Sequence, residues 1–444
     1  MHLSDSAKKI IHLISSAGYE AYAVGGCVRD FLMQRPCDDI DITTSATPDE
    51  LENILSDNHI KFIETGIKHG TVTAVLEDGS VFEVTTFRTE GIYTDSRHPE
   101  SVSFVTDINE DLARRDFTIN AIAYNDEQGF VDPYGGREDI ELKIIRAVGD
   151  ADTRFKEDAL RIMRAVRFAS VLGFTIEEET KKALFDNREL LKNISAERIY
   201  TELSKLLMGD YVYNILVEYK EIMAVILPEL EPIFYVEQNT RWHIYDVWHH
   251  TAKSVEQAPE DLALRYTMLL HDIGKAYTKT TDENGTDHFK GHQKISGEYA
   301  LTALKRLKAP NEVLDRAMAV IPIHDMHIGI EEKNIKKWLS RLGESTLRDL
   351  IAVKRADKLA QNPEMIGEEL ARLVITEEKL NAIIAAGEPF EVKDLVVNGN
   401  DIMALGYRGK EIGVVLNTIL EKVIDGELPN DRENIMRFLT DFKL

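Results

Sequence analysis

Cysteine is almost absent: Cys27 and Cys37 are the only two among 444 residues. Two cannot build a disulfide framework, and such scarcity points to a reducing compartment, so a cytoplasmic location is expected. Long apolar runs are missing too. No stretch approaches the roughly 18 apolar residues of a membrane span, so no membrane association is expected. The polar opening, residues 1–9, and the interruption of the next apolar stretch by His12 and Ser15 are not a secretory-signal pattern. Basic charge is in short supply, with 53 Lys+Arg against 77 Asp+Glu and a net charge of −24. That excludes a protein that coats nucleic acid indiscriminately and leaves room for a local basic groove. What is present is ordinary globular content, 43% hydrophobic, which excludes disordered, collagen-like and disulfide-scaffold chains. At roughly 100–200 residues per domain, two to four domains are expected.

Ala7, Ile10, Ile11, Ile14 and Ala17 recur at helical spacing, so the chain opens with an amphipathic helix that Gly18 stops. Residues 20–24 read as a strand, and Gly25-Gly26 as a sharp turn into a helix. Further strands are expected at 39–43, 71–76 and 80–86, with Asp78-Gly79 as a turn. From Arg154 onward the signals are almost wholly helical. Pro228, Pro232 and the polar stretch 237–240 make a linker, a His-rich helical region follows to Gln361, and a last helical segment ends at Leu444. The expected fold class is α+β, a small mixed sheet first and helices after it.

The block Val24-Gly25-Gly26-Cys27-Val28-Arg29-Asp30 places two glycines between a strand and a helix start. Glycines let backbone N–H groups approach a phosphate, and a helix N-terminus favours its negative charge. Gly26 and Arg29, one turn in, are candidates to meet one. Ten residues on comes Asp38-Asp39-Ile40-Asp41-Ile42-Thr43. On a strand, period 2 puts Asp39 and Asp41 on one face. Like charges there repel unless a divalent cation sits between them, and Mg²⁺ prefers a few carboxylates plus substrate phosphates. Glu83, on a neighbouring expected strand, is a candidate third carboxylate.

These blocks resemble the catalytic head of the DNA polymerase β superfamily, and more narrowly the class II tRNA nucleotidyltransferases and bacterial poly(A) polymerases. Later blocks match in order. Phe82-Glu83-Val84-Thr85-Thr86-Phe87-Arg88 leads into Tyr93-Thr94-Asp95-Ser96-Arg97-His98-Pro99, similar to the family's flexible-loop motif, with His98 where the pattern has a second Arg. Arg114-Arg115-Asp116-Phe117-Thr118-Ile119-Asn120-Ala121 is similar to its ribose-sensing motif. Asp132-Pro133-Tyr134-Gly135-Gly136, the run from Glu157-Asp158 through Arg161, Arg164 and Arg167-Phe168, and Ser195-Ala196-Glu197-Arg198-Ile199 follow. The resemblance implies a polymerase-β-like nucleotidyltransferase head with Mg²⁺ on catalytic Asp39 and Asp41. Metals so held activate an RNA 3′-hydroxyl and neutralise the departing pyrophosphate. It also implies nucleotide binding by Gly26, Arg29, Arg115, Asp116, Asp158, Arg161, Arg164 and Arg167. Asp116 suits a ribose 2′-hydroxyl, and Arg115 a triphosphate.

Asp158 and Arg161 are three apart, so on a helix they share a face. Ionised Asp only accepts hydrogen bonds and Arg only donates. Cytosine and adenine each offer an amine donor beside a ring acceptor, which this pair can meet. Uracil and guanine put a carbonyl where the Asp needs a donor, leaving buried polar groups unpaired. The pair can therefore act as a protein template for CTP and ATP, a role the resemblance also implies. Arg164 continues the face, whereas Arg167 lies opposite Asp158 on an ideal helix and enters through the resemblance alone. Between Arg154 and Arg167, Arg154, Lys156, Arg161, Arg164 and Arg167 face only Glu157 and Asp158, a local excess of positive charge suited to triphosphate and RNA.

His249-His250-Thr251, then His271-Asp272-Ile273-Gly274-Lys275 after an apolar run, then His292, His324 and Ala356-Asp357-Lys358 form an ordered series. Imidazoles and carboxylates suit Ni, Mn, Fe, Zn or Mg ions. The series resembles the HD phosphohydrolase superfamily, as an insert carried by some class II nucleotidyltransferases. By that match His250, His271, Asp272 and Asp357 are metal ligands, His292 and His324 complete a two-metal site, and Lys275 holds a substrate phosphate. His249 is the alternative to His250, which helix phase does not decide. A complete ligand set suggests metal-dependent hydrolysis, of 2′,3′-cyclic or terminal phosphates on RNA ends.

The tail carries Gly406-Tyr407-Arg408-Gly409-Lys410-Glu411-Ile412-Gly413 and Glu427-Leu428-Pro429-Asn430-Asp431, similar to the family's C-terminal helical domain that holds the tRNA elbow. The expected organisation is a head (1–150), a helical neck with the base-selecting helix (151–236), an HD metal domain (237–365) and a tRNA-binding tail (366–444). The expected function is template-independent addition of CCA to the tRNA 3′ end from CTP and ATP. Two alternatives stay open: an A-adding or poly(A)-adding enzyme, and an HD phosphohydrolase whose head only binds nucleotide. The oligomeric state is unassigned.

Overall fold

In the computed structural model, which describes residues 3–37, 39–67, 70–91 and 102–441, the opening helix runs Asp5–Ser16. The Ser4 side chain accepts from the Ala7 N–H and caps it, and Ala7, Ile10, Ile11 and Ile14 form its buried face. Strands β1 (Ala21–Val24), β2 (Ile42–Thr44), β3 (Lys61–Gly66), β4 (Thr71–Val75), β5 (Val81–Thr86), β6 (Arg88–Glu90), β7 (Val102–Phe104), β8 (Ala123–Asn125) and β9 (Gly129–Val131) follow. Seven of them join one mixed sheet in the order β3-β4-β5-β2-β1-β8-β9, while β6 and β7 pair with each other. β2 and β5 run parallel, and the other neighbours in the large sheet run antiparallel. Tyr22, Val24 and Phe87 meet Ile108, Leu112 and Val148 in a core on this sheet.

Two expected strands, 71–76 and 80–86, form within one residue of their expected ends. The strand expected at 39–43 does not: it begins at Ile42. Asp39 and Asp41 therefore precede the strand instead of alternating along it. Asp is disfavoured in strands, and here the ladder starts only where the β-branched Ile42-Thr43-Thr44 begins.

The described residues divide into two compact units, Met1–Pro228 and Glu229–Leu444, at the turn Pro228–Ile233. In the first unit, helix Leu160–Leu172 packs on helix Ala196–Leu207. In the second, helix Leu262–Leu270 is buried along nearly all its length against the helices Val247–Gln257, Asn311–Val320 and Glu332–Leu359. Its C-cap is His271, which thereby arrives in the middle of the bundle. The closing helices Gly399–Ala404, Lys410–Ile424 and Arg432–Asp441 enclose a small core of their own, with Ile402, Val415, Ile419 and Ile435 at its centre. Among the described residues no helix is long and apolar enough to cross a membrane.

Candidate active site and metal centre

Gly25 adopts φ +77° and ψ −127°, which a side chain resists, and a Cβ there would stand 2.9 Å from Arg115 Nη1. The turn opens helix Gly26–Leu32 directly after β1. Beside it, the Asp41 carbonyl accepts from the Val24 N–H at 3.0 Å. In the parallel β2–β5 register Ile42 lies opposite Val84, and Asp41 and Glu83 are the residues one step before this first pair. Ile42 and Val84 are buried, whereas Asp41 and Glu83 are exposed. The Asp41 carboxyl is nevertheless pushed above its ordinary value. Desolvation is the largest cause and the like charge of Asp39 the next, Arg115 pulls the other way, and Glu83 adds a further push. Carboxylates that repel one another in this way gain from a divalent cation, so the residues fit one. Among the described residues they are not drawn into a group of three within 4.8 Å. An open set leaves coordination positions for substrate oxygens, as Mg²⁺ prefers.

The nucleotide-binding candidates join the sheet to the helices that follow it within the first unit. Asp116 is buried and accepts from Asn120 Nδ2 at 3.0 Å and from Arg164 Nε at 2.7 Å. Desolvation would raise its carboxyl, but Arg164 and Asn120 outweigh it and hold it at about 2. Arg29 donates to Asn120 Oδ1 at 2.7 Å and forks onto Asp30. Arg29, Arg164 and Arg167 surround one ring, their guanidinium carbons 5.1, 5.5 and 3.8 Å from the Phe168 centroid. Arg167 thus joins the cluster through Phe168, and Glu202 pairs with it at 2.7 Å. Burial lowers the Arg115 guanidinium, while Asp111, 3.3 Å away, opposes that.

Asp158 and Arg161 do not share a helix. Asp158 is extended (φ −135°, ψ 102°) at the end of helix Ala151–Glu157, and the next helix starts at Leu160. Its carboxylate accepts from the Leu160 N–H at 3.1 Å and from Arg198 Nη2 at 2.8 Å. Asp prefers such a capping role to a helix interior. Arg161 donates to Glu157 at 2.9 Å and to the Arg114 carbonyl at 2.9 Å. The two still meet at one junction, because the Arg161 N–H donates to the Asp158 carbonyl at 3.0 Å. The flexible-loop motif, with His98, lies outside the described residues. Asp111, Phe168, Arg198 and Glu202 were given no role by sequence reasoning. Asp111 stands three and four residues before Arg114 and Arg115, a spacing that carries the signal.

In the second unit six predicted residues converge. His250 Nε2 lies 3.0 Å from Asp357 Oδ1 and 3.4 Å from Asp272 Oδ2, and His271 Nε2 lies 3.2 Å from Asp272 Oδ2. His292 Nε2 lies 3.3 Å from Asp272 Oδ1 and 3.3 Å from His324 Nε2. The ligand atoms form two groups, His250/His271/Asp272/Asp357 and Asp272/His292/His324, so Asp272 belongs to both. Each imidazole offers its Nδ1 to a backbone carbonyl: Ala360 for His250, Met268 for His271, Phe289 for His292 and Ile321 for His324. That orients the rings with each Nε2 aimed at the centre, and His271 Nε2 is buried without a hydrogen bond. The donor set fits divalent transition metals. Burial would lower the His271 imidazolium, but Asp272 and Asp357 outweigh it and raise it to about 10. Burial would raise the Asp272 carboxyl, but the positive charges of His271 and Lys275 outweigh it and hold it well below the ordinary range.

Gly274 makes this convergence possible, since a Cβ there would lie 2.1 Å from the His292 carbonyl oxygen. Asp246 accepts from the His249 N–H and sits 2.8 Å from its Nδ1, which draws His249 out of the site and leaves His250 in it. Lys275 is not free for a phosphate here: its Nζ lies 2.6 Å from Asp272 Oδ2 and donates to Gln238 at 2.8 Å. The centre opens into a cavity of about 460 Å³ lined by His243, Lys290, Gln293 and Gln361 among others. His243, which sequence reasoning missed, packs edge-on against His250 with ring centroids 4.9 Å apart.

Three family models match the chain: "Poly A polymerase head domain" over residues 21–146, "Probable RNA and SrmB- binding site of polymerase A" over 173–234, and "tRNA nucleotidyltransferase domain 2" over 288–439. The CCA-adding enzyme of Geobacillus thermodenitrificans is 37% identical over 440 residues, covering 97% of this chain and 95% of that one. The chain belongs to the CCA-adding enzyme family. The CCA-adding enzyme of Streptococcus thermophilus is 34% identical over 439 residues, 98% of this chain and 96% of that one. The crystal structure of the Bacillus stearothermophilus CCA-adding enzyme in complex with CTP is 32% identical, with a TM-score of 0.72 over 98% of this chain and 96% of that chain. The fold is accordingly that of CCA-adding enzymes, a polymerase-β-like head with a mixed sheet and a mostly helical body.

Proposed function

We propose that this chain adds C, C and A to the 3′ end of tRNA from CTP and ATP, without a nucleic-acid template. The observation that carries the reading is the Asp39/Asp41/Glu83 set beside the Gly25-Gly26 turn, in a chain that matches a CCA-adding enzyme along 97% of its length. Asp39 and Asp41 are the residues to hold Mg²⁺, which when bound activates the tRNA 3′-hydroxyl and neutralises pyrophosphate. Gly26 lets the helix start face the triphosphate. Arg115, Arg29, Arg164 and Arg167 supply positive charge around it. Asp116, kept ionised by Arg164, accepts from the ribose 2′-hydroxyl. Asp158 and Arg161 read the base edge, turning part of their bonding from Arg198 and Glu157 to the nucleotide. In this reading residues 1–150 are the catalytic head, 151–236 the neck, 237–365 the metal domain and 366–444 the tail that holds tRNA, and the protein works in the cytoplasm.

The test is incorporation of labelled CTP and ATP, separately and together, on tRNA ending at the discriminator base and on tRNA ending in CC. The expected outcome is two C residues on the first acceptor, then one A, then arrest. Use of ATP alone overturns it in favour of A addition, and a growing tail in favour of poly(A) synthesis.

A second activity is favoured by the four imidazoles held through Nδ1 by carbonyls. The second unit then holds an HD-type centre of Ni, Mn, Fe, Zn or Mg that hydrolyses 2′,3′-cyclic or terminal phosphates of RNA ends. Metal-loaded protein should release phosphate or open the cyclic ester, Asp272→Ala should abolish this, and Asp41→Ala should not. Failure of every metal to support hydrolysis on these ends overturns it.

A further inference from the structure

The cavity over the metal centre of the second unit has a wall that no ligand assignment uses. His243 lines it, and the two residues before His243 form a pair of their own. The Arg241 guanidinium carbon lies 4.7 Å from the Trp242 ring centroid. Arg241 is exposed and Trp242 half-buried, so the pair is open to solvent. It is tied to the metal side by its backbone. The Asn362 N–H donates to the Trp242 carbonyl at 2.8 Å, and Asn362 Nδ2 donates to the Arg241 carbonyl at 3.1 Å. Asn362 follows Gln361, which lines the same cavity and donates to the candidate metal ligand Asp357 at 2.9 Å. Lys290, exposed as well, lines the cavity too. Among the described residues neither Arg241 nor Lys290 pairs with a carboxylate, although the chain holds 77 Asp+Glu. Two exposed cations left unpaired in so acidic a chain are available to an anion from outside it.

We propose that Arg241 and Trp242 are a nucleobase-stacking platform beside the metal centre, and that with Lys290 they seat the end of a single-stranded RNA there. The terminal phosphate enters the cavity past His243, the base of the preceding nucleotide stacks on the Arg241–Trp242 pair, and Lys290 meets a backbone phosphate. Guanidinium planes and aromatic rings both stack on an unpaired base, with little regard to which base it is. A base inside a duplex is already stacked on its neighbours, so the platform selects single strands. A free nucleotide has no preceding base to offer, so the platform also selects the end of a chain over a mononucleotide. The inference deepens the reading of the second unit as a phosphohydrolase of RNA ends and rests on it.

The test uses the full chain loaded with Mn or Ni and two substrates, a short single-stranded oligoribonucleotide ending in a 2′,3′-cyclic phosphate and the corresponding cyclic mononucleotide. The parent should have a KM about 10-fold or more lower for the oligonucleotide. Arg241→Ala, at an exposed position, and Trp242→Ala should each raise that KM about 10-fold while leaving kcat, the mononucleotide KM and metal content unchanged. Trp242→Phe should keep most of the preference. In parallel, an oligoribonucleotide with 4-thiouridine next to its 3′-terminal nucleotide is photo-crosslinked to the chain, and the linked peptide should contain Arg241 and Trp242. Equal KM values for the two substrates in the parent overturn the proposal, as does a loss in the variants that falls on both substrates alike. A crosslink confined to other peptides also overturns it. Absence of hydrolysis of either substrate marks failure of the underlying reading instead, and the crosslink then decides the platform by itself.

Discussion

Asp41 and Glu83 each stand one residue ahead of the first pair of the parallel β2–β5 ladder, Ile42 and Val84. Glu83 is one of the charges that push the Asp41 carboxyl up. With Asp41 as the proposed metal-holding residue, transfer needs that carboxylate ionised, so activity should fall as pH drops through its value. Glu83→Gln removes a like charge, lowers the Asp41 value, and moves the acid limb of the CTP-incorporation profile to lower pH. Asp41→Asn should cost at least about 10²–10³-fold at every pH. An acid limb unmoved by Glu83→Gln would show that the two carboxylates do not share a site.

The Asp116–Arg164 pair sets a stability term. The Asp116 carboxyl is depressed from 3.8 to about 2, so its contribution is fully present above the ordinary carboxylate value and is lost as pH falls from there through about 2. Arg164→Met leaves a buried carboxylate with desolvation unopposed by its main partner. Urea unfolding at neutral pH should show a loss of about 1.5–3 kcal/mol. Acid unfolding should also begin at higher pH than in the parent.

Asp272 belongs to both ligand groups, whereas His324 belongs to one. Metal analysis after loading with Mn or Ni should give up to two ions per chain in the parent. His324→Ala should retain one and Asp272→Ala none. CTP incorporation should be unchanged in both variants, because neither residue lies in the head. Retention of two ions by Asp272→Ala would refute the shared-ligand arrangement.

Asp158→Ala deletes the acceptor proposed to turn away uracil and guanine. Competition of CTP against UTP should lose about 10²-fold or more of its selectivity, with smaller loss in total turnover. Arg198→Ala, which frees one Asp158 oxygen, should spare the preference for C and A while weakening nucleotide affinity, as read in KM.

Sequence named the six residues that converge in the second unit, but only part of the packing around the candidate sites. β4 and β5 were legible because Thr71–Val75 and Val81–Thr86 are rich in β-branched residues and flank an Asp78-Gly79 turn. β3 was not, since Lys61–Gly66 is largely exposed on both faces and has no hydrophobic period. His249 and His250 were indistinguishable by helix phase, and what separates them is the Asp246 cap. Arg167 could not be placed because its partners are a ring on its own helix and Glu202 on another. Asp158 was put on the wrong element because a two-residue break between helices leaves no mark in a charge pattern.

Asp116 and Arg164 are 48 residues apart in sequence, and Arg161 reaches back to the Arg114 carbonyl over 47. Arg29 likewise faces Phe168. Anyone building chimaeras from relatives would be tempted to cut at residue 150, where the sheet gives way to helices. That seam severs all three links and pairs foreign halves of one side-chain network. The stretch Met1–Pro228 should be exchanged as a single cassette, and recombinants joined after Pro228 should keep their nucleotide preference with the donor of that cassette.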